Sequence, residues 1–432
     1  MQSWRLYEAR SGDRPEFPVT PEEAERYILS RELFGMRFGL DRMRRLMTAM
    51  GNPQLRFDSI HVVGTNGKSS TTRMIAAILR RHGLRTGAYL SPHLVSFAER
   101  IRVDDTDLEP AQFAAAGQRV ARAAELVDRS LAGDDRVTQF DLLTAAAYSE
   151  LAGQGVDLAV IEAGLGGRYD ATNVIPSKVQ VLTSVGLEHT RWLGPTIRAI
   201  ATEKLDVVRP GGTLVLGNGL HRDALEVAEL IAAERQATIV RAGADPGVQL
   251  SALGSYQRRN FALARAAAEA YLGELDSGAV ATAAAETLVP GRLQVIDQEP
   301  LTLLDGAHNP DGMAALAEAL GEPFAAGRRP VVAVISILDD KDAAGMLAEL
   351  MPRCDALVLT ASQNPRALPP PTLVSLAEQL GGPPAEVIRE PRFALARARE
   401  LAGSGGLVLA TGTIYLVADL LRPAGAGRAS ML

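Results

Sequence analysis

Lys68 lies in the run His61-Val62-Val63-Gly64-Thr65-Asn66-Gly67-Lys68-Ser69-Ser70, whose spacing suits it to hold phosphate. Ile60 to Val63 is an apolar run that reads as a buried strand. Gly64 and Gly67 let the backbone turn tightly. Met74, Ile75, Ile78 and Leu79 then recur at helical spacing, which predicts a helix from about Ser70 to Arg81 with Gly83 as its stop. In such an arrangement the loop N–H groups and the helix N-terminus point at an anion, and the Lys68 ammonium adds a full charge. The strict pattern G-x-x-x-x-G-K-[ST] fails because its first glycine would fall on Val62, leaving a shorter G-x-x-G-K-S. An ordinary strand–turn–helix is the plainer alternative, but the Lys-Ser pair and the flanking periodicity favour phosphate.

Three more polar residues follow predicted strands. Ser91 comes after Arg85 to Leu90, Glu162 ends Asp157 to Ile161, and His189 comes after Val179 to Val185. A hydroxyl, a carboxylate and an imidazole beside phosphates resemble a divalent-cation site. Magnesium prefers oxygen, so on chemistry alone His189 is equally well read as a hydrogen-bonded loop histidine. Asp305 and His308 follow a strand from Leu301 to Leu304. Only four of the 45 basic residues are lysine: Lys68, Lys178, Lys204 and Lys341. In so arginine-rich a chain a lysine points to work that a permanently charged fork cannot do, such as acting as a nucleophile.

The elements that must position these residues alternate, strand then helix, which predicts a mostly parallel sheet with helices on both faces. In such sheets ligands gather at the carboxyl ends of the strands, so the topology brings Ser91, Glu162, His189 and the glycine loop to one edge. Helices are expected at 21–31, up to Met50, at 110–133, from Thr138 or Asp141 onward, and at 196–208. Residues 220–290 read as Ala-rich and helical, with Asn260 opening a helix. The segment Leu288-Val289-Pro290-Gly291-Arg292 marks a domain boundary. Residues 1–289 would form an N-terminal P-loop ATPase-like domain and 290–432 a smaller, Rossmann-like α/β domain. The latter has strands at 301–304, 330–335, 356–359 and 406–410 and lacks a dinucleotide fingerprint.

A length of 432 residues exceeds one core. The net charge of −6 argues against nucleic acid as a main partner. One cysteine, Cys354, excludes a disulfide framework and fits a reducing cytoplasm. No apolar stretch has the length of a membrane span, and no signal-peptide core is visible. The expectation is a cytoplasmic monomer acting on small molecules.

With these residues in view the chain resembles the folylpolyglutamate synthase/dihydrofolate synthase family of the Mur ligase superfamily. The resemblance rests on Gly64-Thr65-Asn66-Gly67-Lys68, Ser91-Pro92-His93-Leu94 with Glu99-Arg100-Ile101, and Glu162 with Gly164-Leu165-Gly166-Gly167-Arg168 and Asp170-Ala171-Thr172-Asn173. It continues through His189 with Leu193-Gly194, Glu203-Lys204, Pro290-Gly291-Arg292, Asp305-Gly306-Ala307-His308-Asn309-Pro310 and Asp340-Lys341-Asp342. It implies an ATP- and magnesium-dependent ligase that joins L-glutamate to a folate or dihydropteroate carboxylate through an acyl phosphate. By resemblance, Gly64, Thr65, Asn66, Gly67, Lys68 and Ser69 hold the ATP phosphates, and Asn260, Arg292 and Asp305 contact the nucleotide. Ser91, Glu162 and His189 look like magnesium ligands, which decides His189 for metal. Lys204 is similar to a lysine that carries a carbamate and would serve a second metal site. Phe38, Gly39 and Leu40, with Thr138, Gln139 and Phe140, would form the pterin side, Arg168 would also bind substrate, and His308 would meet glutamate.

The chain departs from the family pattern at several positions. Ser69 stands where glycine is usual, Asp141 where glutamate is, and Glu188 where aspartate is. Leu205-Asp206 replaces Ala-Gly, and Ser336 replaces glycine. Two rivals remain. A ligase of cell-wall precursors would carry a whole domain before the glycine loop, where only 63 residues stand before Gly64. A GTP-binding switch could be read from Glu203-Lys204-Leu205-Asp206, but that run lies in a predicted helix and begins with Glu.

Overall fold

The computed structural model describes residues 20–32 and 39–423. The N-terminal sheet contains β1 (Asp58–Val63), β2 (Thr86–Tyr89), β3 (Ile101–Val103), β4 (Thr106–Asp107), β5 (Leu158–Glu162), β6 (Val179–Leu182), β7 (Thr213–Leu216) and β8 (Thr238–Arg241). Their order is β4-β3-β2-β5-β1-β6-β7-β8. β1 lies between β5 and β6, parallel to both, with Val62 opposite Glu162. Only the β2–β3 and β3–β4 pairings are antiparallel. The C-terminal sheet contains β9 (Gln294–Gln298), β10 (Leu301–Leu304), β11 (Val331–Ile335), β12 (Ala356–Leu359), β13 (Ala385–Val387) and β14 (Leu407–Thr411), in the order β13-β12-β11-β14-β10-β9. It is parallel except where β9 meets β10.

Both sheets are covered on both faces, which is why their strands read as continuous apolar runs. In β1, Ile60 and Val62 pack toward the helices Lys68–Arg81, Ser255–Leu272 and Ser277–Glu286. The opposite face of that sheet is covered near β2 and β5 by the helices Pro110–Asp128 and Gln139–Gly153. In β11, Ala333 and Ile335 belong to one core and Val332 and Val334 to the other, the alternation that a pleat imposes. Each such side chain taken fully out of water contributes roughly 1.5–3 kcal/mol.

The glycine-loop helix begins at Lys68, two residues before the expected start. Thr138 is the cap of the helix Gln139–Gly153, and Asp141 completes a reciprocal capping box. β6 ends at Leu182, so Thr183, Ser184 and Val185 lie in the loop beyond it. Asn260 does not open a helix but lies inside Ser255–Leu272. Phe38 lies outside the described residues. Among the described residues no helix is long and apolar enough to cross a membrane.

Candidate active site

A cleft of about 1360 Å³ opens where the carboxyl ends of the two sheets face each other. The glycine loop leaves β1 at the centre of the first sheet, between the ends of β5 and β6. Its Gly64 and Gly67 take φ of +152° and +85°, backbone that side chains disfavour. A Cβ on Gly67 would stand 2.6 Å from Asn260 Oδ1, so the loop and the helix Ser255–Leu272 touch at that point. Residues past β6 fasten the loop from the other side. Asn66 N–H donates to Ser184 Oγ at 2.9 Å, Thr183 Oγ1 donates to the Asn66 carbonyl at 2.6 Å, and Thr65 N–H donates to the Ser184 carbonyl at 2.9 Å.

Two lysines converge on one carbonyl. Lys68 Nζ donates to Gly64 O at 3.0 Å and to Thr65 O at 3.1 Å, while Lys204 Nζ donates to Gly64 O at 2.8 Å. Lys204 is buried. That burial, and secondarily the Lys68 charge, lowers its amine to about 7. The neighbouring carboxylates are engaged elsewhere: Glu203 meets Arg168 at 2.9 Å and Asp206 meets Arg235 at 2.7 Å. Lys204 is therefore not the helix lysine paired with Glu203 or Asp206 that its sequence neighbours would allow.

Glu162, at the end of β5, is buried. Its Oε1 accepts from Ser69 Oγ at 2.8 Å and its Oε2 from Ser91 N–H at 3.1 Å. Burial pushes this carboxyl above its usual range against the pull of Lys68. A buried carboxylate with spare lone pairs suits a hard cation. Among the described residues no three His, Cys, Asp or Glu side chains come together as a metal-holding group. A cation here would take its remaining oxygens from phosphates and water, the usual habit of magnesium. His189 caps the short helix Thr190–Leu193 from the left-handed region, φ 52°, and lies on the cleft wall.

From the second sheet come Arg292, Asp305 and His308. Asp305, past β10, accepts from Tyr256 Oη at 2.7 Å, Leu293 N–H at 2.9 Å and Ala307 N–H at 2.8 Å. His308 Nδ1 lies 2.9 Å from Gly306 O, and its Nε2 lies 3.3 Å from Glu188 Oε1. Lys341 Nζ donates to the same Glu188 oxygen at 2.9 Å. Burial would raise the Glu188 carboxyl, but His308 and then Lys341 hold it well below the usual carboxylate range.

The structure thus brings Gly64 through Ser69, Ser91, Glu162, His189, Lys204, Asn260, Arg292, Asp305 and His308 to one cleft, together with Gly39, Thr138 and Phe140. Three of the expected substrate-binding residues do not face it. Gln139 is buried, Arg168 turns to Glu203, and Leu40 precedes the helix Asp41–Ala49 away from the lining. Residues that the sequence reading missed are Thr183, Ser184, Tyr256 and Asn309. The first two carried a signal, being polar positions at the end of a strand beside the glycine loop.

A two-sheet α/β fold with a lysine-bearing glycine loop facing a second sheet across a deep cleft defines a nucleotide-dependent ligase of the Mur type. Residues 291–414 match the Mur ligase, glutamate ligase domain. The chain is 34% identical to the dihydrofolate synthase/folylpolyglutamate synthase of Mycobacterium tuberculosis, covering 86% of each chain. The chain belongs to the dihydrofolate synthase/folylpolyglutamate synthase family. The solved M. tuberculosis folylpolyglutamate synthase complexed with ADP and AMPPCP superposes with a TM-score of 0.86 at 32% identity, covering 94% of this chain and 98% of that one. The bifunctional enzyme of Yersinia pestis, complexed with AMPPNP and Mn ion, gives 0.83 at 28% identity, covering 95% and 99%.

Proposed function

We propose that the chain uses ATP to join L-glutamate to the carboxylate of a folate or dihydropteroate acceptor. The observation that carries this reading is the meeting, in one cleft, of the Lys68 glycine loop from the first sheet and the Asp305–Asn309 loop from the second. A carboxylate is a poor acyl donor because its leaving group would be oxide. Transfer of the γ-phosphoryl group to a carboxylate oxygen releases ADP and gives an acyl phosphate. The glutamate amine attacks its carbonyl carbon, a proton leaves the nitrogen, and the tetrahedral intermediate expels phosphate.

Lys68 would exchange its two loop carbonyls for phosphate oxygens, with the backbone of Gly64 to Ser69 around them. Asn260, Arg292 and Asp305 would hold the nucleotide, and His308 would meet glutamate. Ser91, Glu162 and His189 would hold magnesium, with Lys204 beside a second cation. The ion would supply charge neutralisation at the phosphoryl oxygens. We assign the acceptor's pterin to the wall that holds Gly39, Thr138 and Phe140, and set the domain boundary near Pro290. Lys204, buried and unpaired with its neighbours Glu203 and Asp206, is the residue to carry a carbamate. Carbon-13 bicarbonate should give one protein-bound resonance that Lys204→Arg lacks. We place the enzyme in the cytoplasm as a monomer.

The test is phosphate release with ATP, magnesium and glutamate, comparing dihydropteroate with tetrahydrofolate as acceptor. Release that depends on both glutamate and one of these acceptors supports the reading. A preference for GTP, or release indifferent to acceptor, overturns it.

A further inference from the structure

The loop built to hold phosphate and the loop that carries His308 are joined side chain to side chain. Asn66 Nδ2 donates to Asn309 Oδ1 at 3.0 Å, and Asn309 Nδ2 donates back to Asn66 Oδ1 at 3.0 Å. Every other bond of Asn309 fixes it in place. Its Oδ1 also accepts Gly312 N–H at 2.8 Å, capping the helix Pro310–Ala319, and its Nδ2 also donates to Glu188 Oε2 at 3.2 Å. Glu188 is tied in turn to Lys341 and His308. One carboxylate from the first sheet therefore anchors three side chains of the second, and the amide pair extends that anchor to the glycine loop. The carboxylate and the lysine are withdrawn from water: the Glu188 and Lys341 side chains are 8% and 11% exposed.

A reciprocal amide pair has a narrow geometry. A shift of about 1 Å in either loop lengthens both bonds beyond hydrogen-bond range together. Reaction between two bound substrates needs their reacting atoms held about 3–3.5 Å apart, so the relative position of the two loops bears directly on the rate. The geometry points to Asn66 and Asn309 as positioning residues, an amide clamp that sets the distance between the phosphate loop and the glutamate-side loop. The clamp rests on the proposed ligase reading for what lies on each side, while its existence does not depend on turnover.

The variants are Asn66→Ala, Asn309→Ser and the pair together. Asn309→Ser keeps an oxygen for Gly312 N–H, so the helix stays capped while the reach to Asn66 is lost. Cysteines placed at exposed Arg222 and Phe393 carry a donor and an acceptor dye, and the native Cys354 is buried. Energy transfer between the dyes reads domain separation in the full chain with AMPPNP and magnesium. Transfer should fall in each single variant and no further in the double. In turnover, each single should lower kcat/KM for glutamate by roughly tenfold, with the double no worse than Asn309→Ser, because both singles remove the amide pair and only Asn309→Ser also gives up the bond to Glu188. Unchanged transfer in the singles, or additive losses in the double, would overturn the clamp. If the unsubstituted enzyme forms no glutamyl product, the ligase reading falls, and the energy-transfer series still decides the clamp.

Discussion

The Gly64 carbonyl accepts from Lys68 and Lys204 at once, which sets two amines against a single dipole. Phosphate oxygens would relieve that crowding, and Lys68, on the loop itself, is the nearer to donate to them. Lys68→Ala should therefore lower phosphate release by at least about a hundredfold, the scale seen when one charge-stabilising donor is removed, while circular dichroism stays unchanged. Near-normal turnover would remove Lys68 from the site. His61, on β1, makes a different prediction. It is buried, its Nε2 lies 2.8 Å from Thr172 Oγ1, and burial, aided by Arg209, holds its imidazole down at about 3. The unfolded chain then binds a proton that the folded one refuses. Stability should fall as pH drops below the ordinary histidine value near 6.5 and continue falling to about 3, by up to about 1.4 kcal/mol per pH unit. Denaturant unfolding of His61→Gln should show a shallower fall across that window, and parallel curves would count against the assignment. The scarcity of lysine was a useful pointer at this scale. Lys68, Lys204 and Lys341 all line the cleft, whereas Lys178 pairs with Asp58 well away from it. Composition could not tell the fourth from the others, because it records frequency and not place.

At the scale of elements, the unit that matters is β1, its loop and the helix Lys68–Arg81. Gly67 permits the turn at φ +85°, and its missing side chain leaves room for Asn260. Gly67→Ala should strain the backbone by about 1–3 kcal/mol and displace Asn260. The expected outcome is a lower melting temperature together with weaker AMPPCP binding by calorimetry; a variant that binds as tightly as the parent would mean that the loop does not close around phosphate. The strands of this unit were legible because they are apolar and central. β8 was not, since Thr238–Arg241 is a half-exposed edge strand of four residues inside an Ala-rich stretch. β3 and β4 escaped because a short antiparallel hairpin leaves no run to see. Helix starts were misjudged by two residues where glycine, not a side-chain cap, begins the helix.

For the molecule as a whole, two sheets were readable from the rhythm of strands and helices, but their meeting was not. Asn66 and Asn309 lie 243 positions apart, and no local pattern says which loop faces which. Only the rule that ligands gather at carboxyl ends foretold one shared edge within each sheet. A nucleotide seated between both halves should stabilise the folded chain by mass action, by about 2.7 kcal/mol at a hundred times its dissociation constant. Differential scanning fluorimetry with magnesium should show a clear rise in melting temperature with AMPPNP and a smaller one with the guanosine analogue. An equal or reversed order would favour the switch reading over the ligase.

The distribution of amines also governs how this protein meets acylating reagents. Lys178 is 58% exposed, whereas Lys341 is 11% exposed and Lys204 is buried. An activated ester should tag Lys178 rapidly and leave the cleft lysines largely untouched. Biotin or a surface tether can thus be attached at a lysine side chain far from the chemistry. Slow acylation of Lys341, followed by mass spectrometry, then becomes a clock for cleft opening, because its nitrogen is released only when the contact with Glu188 breaks.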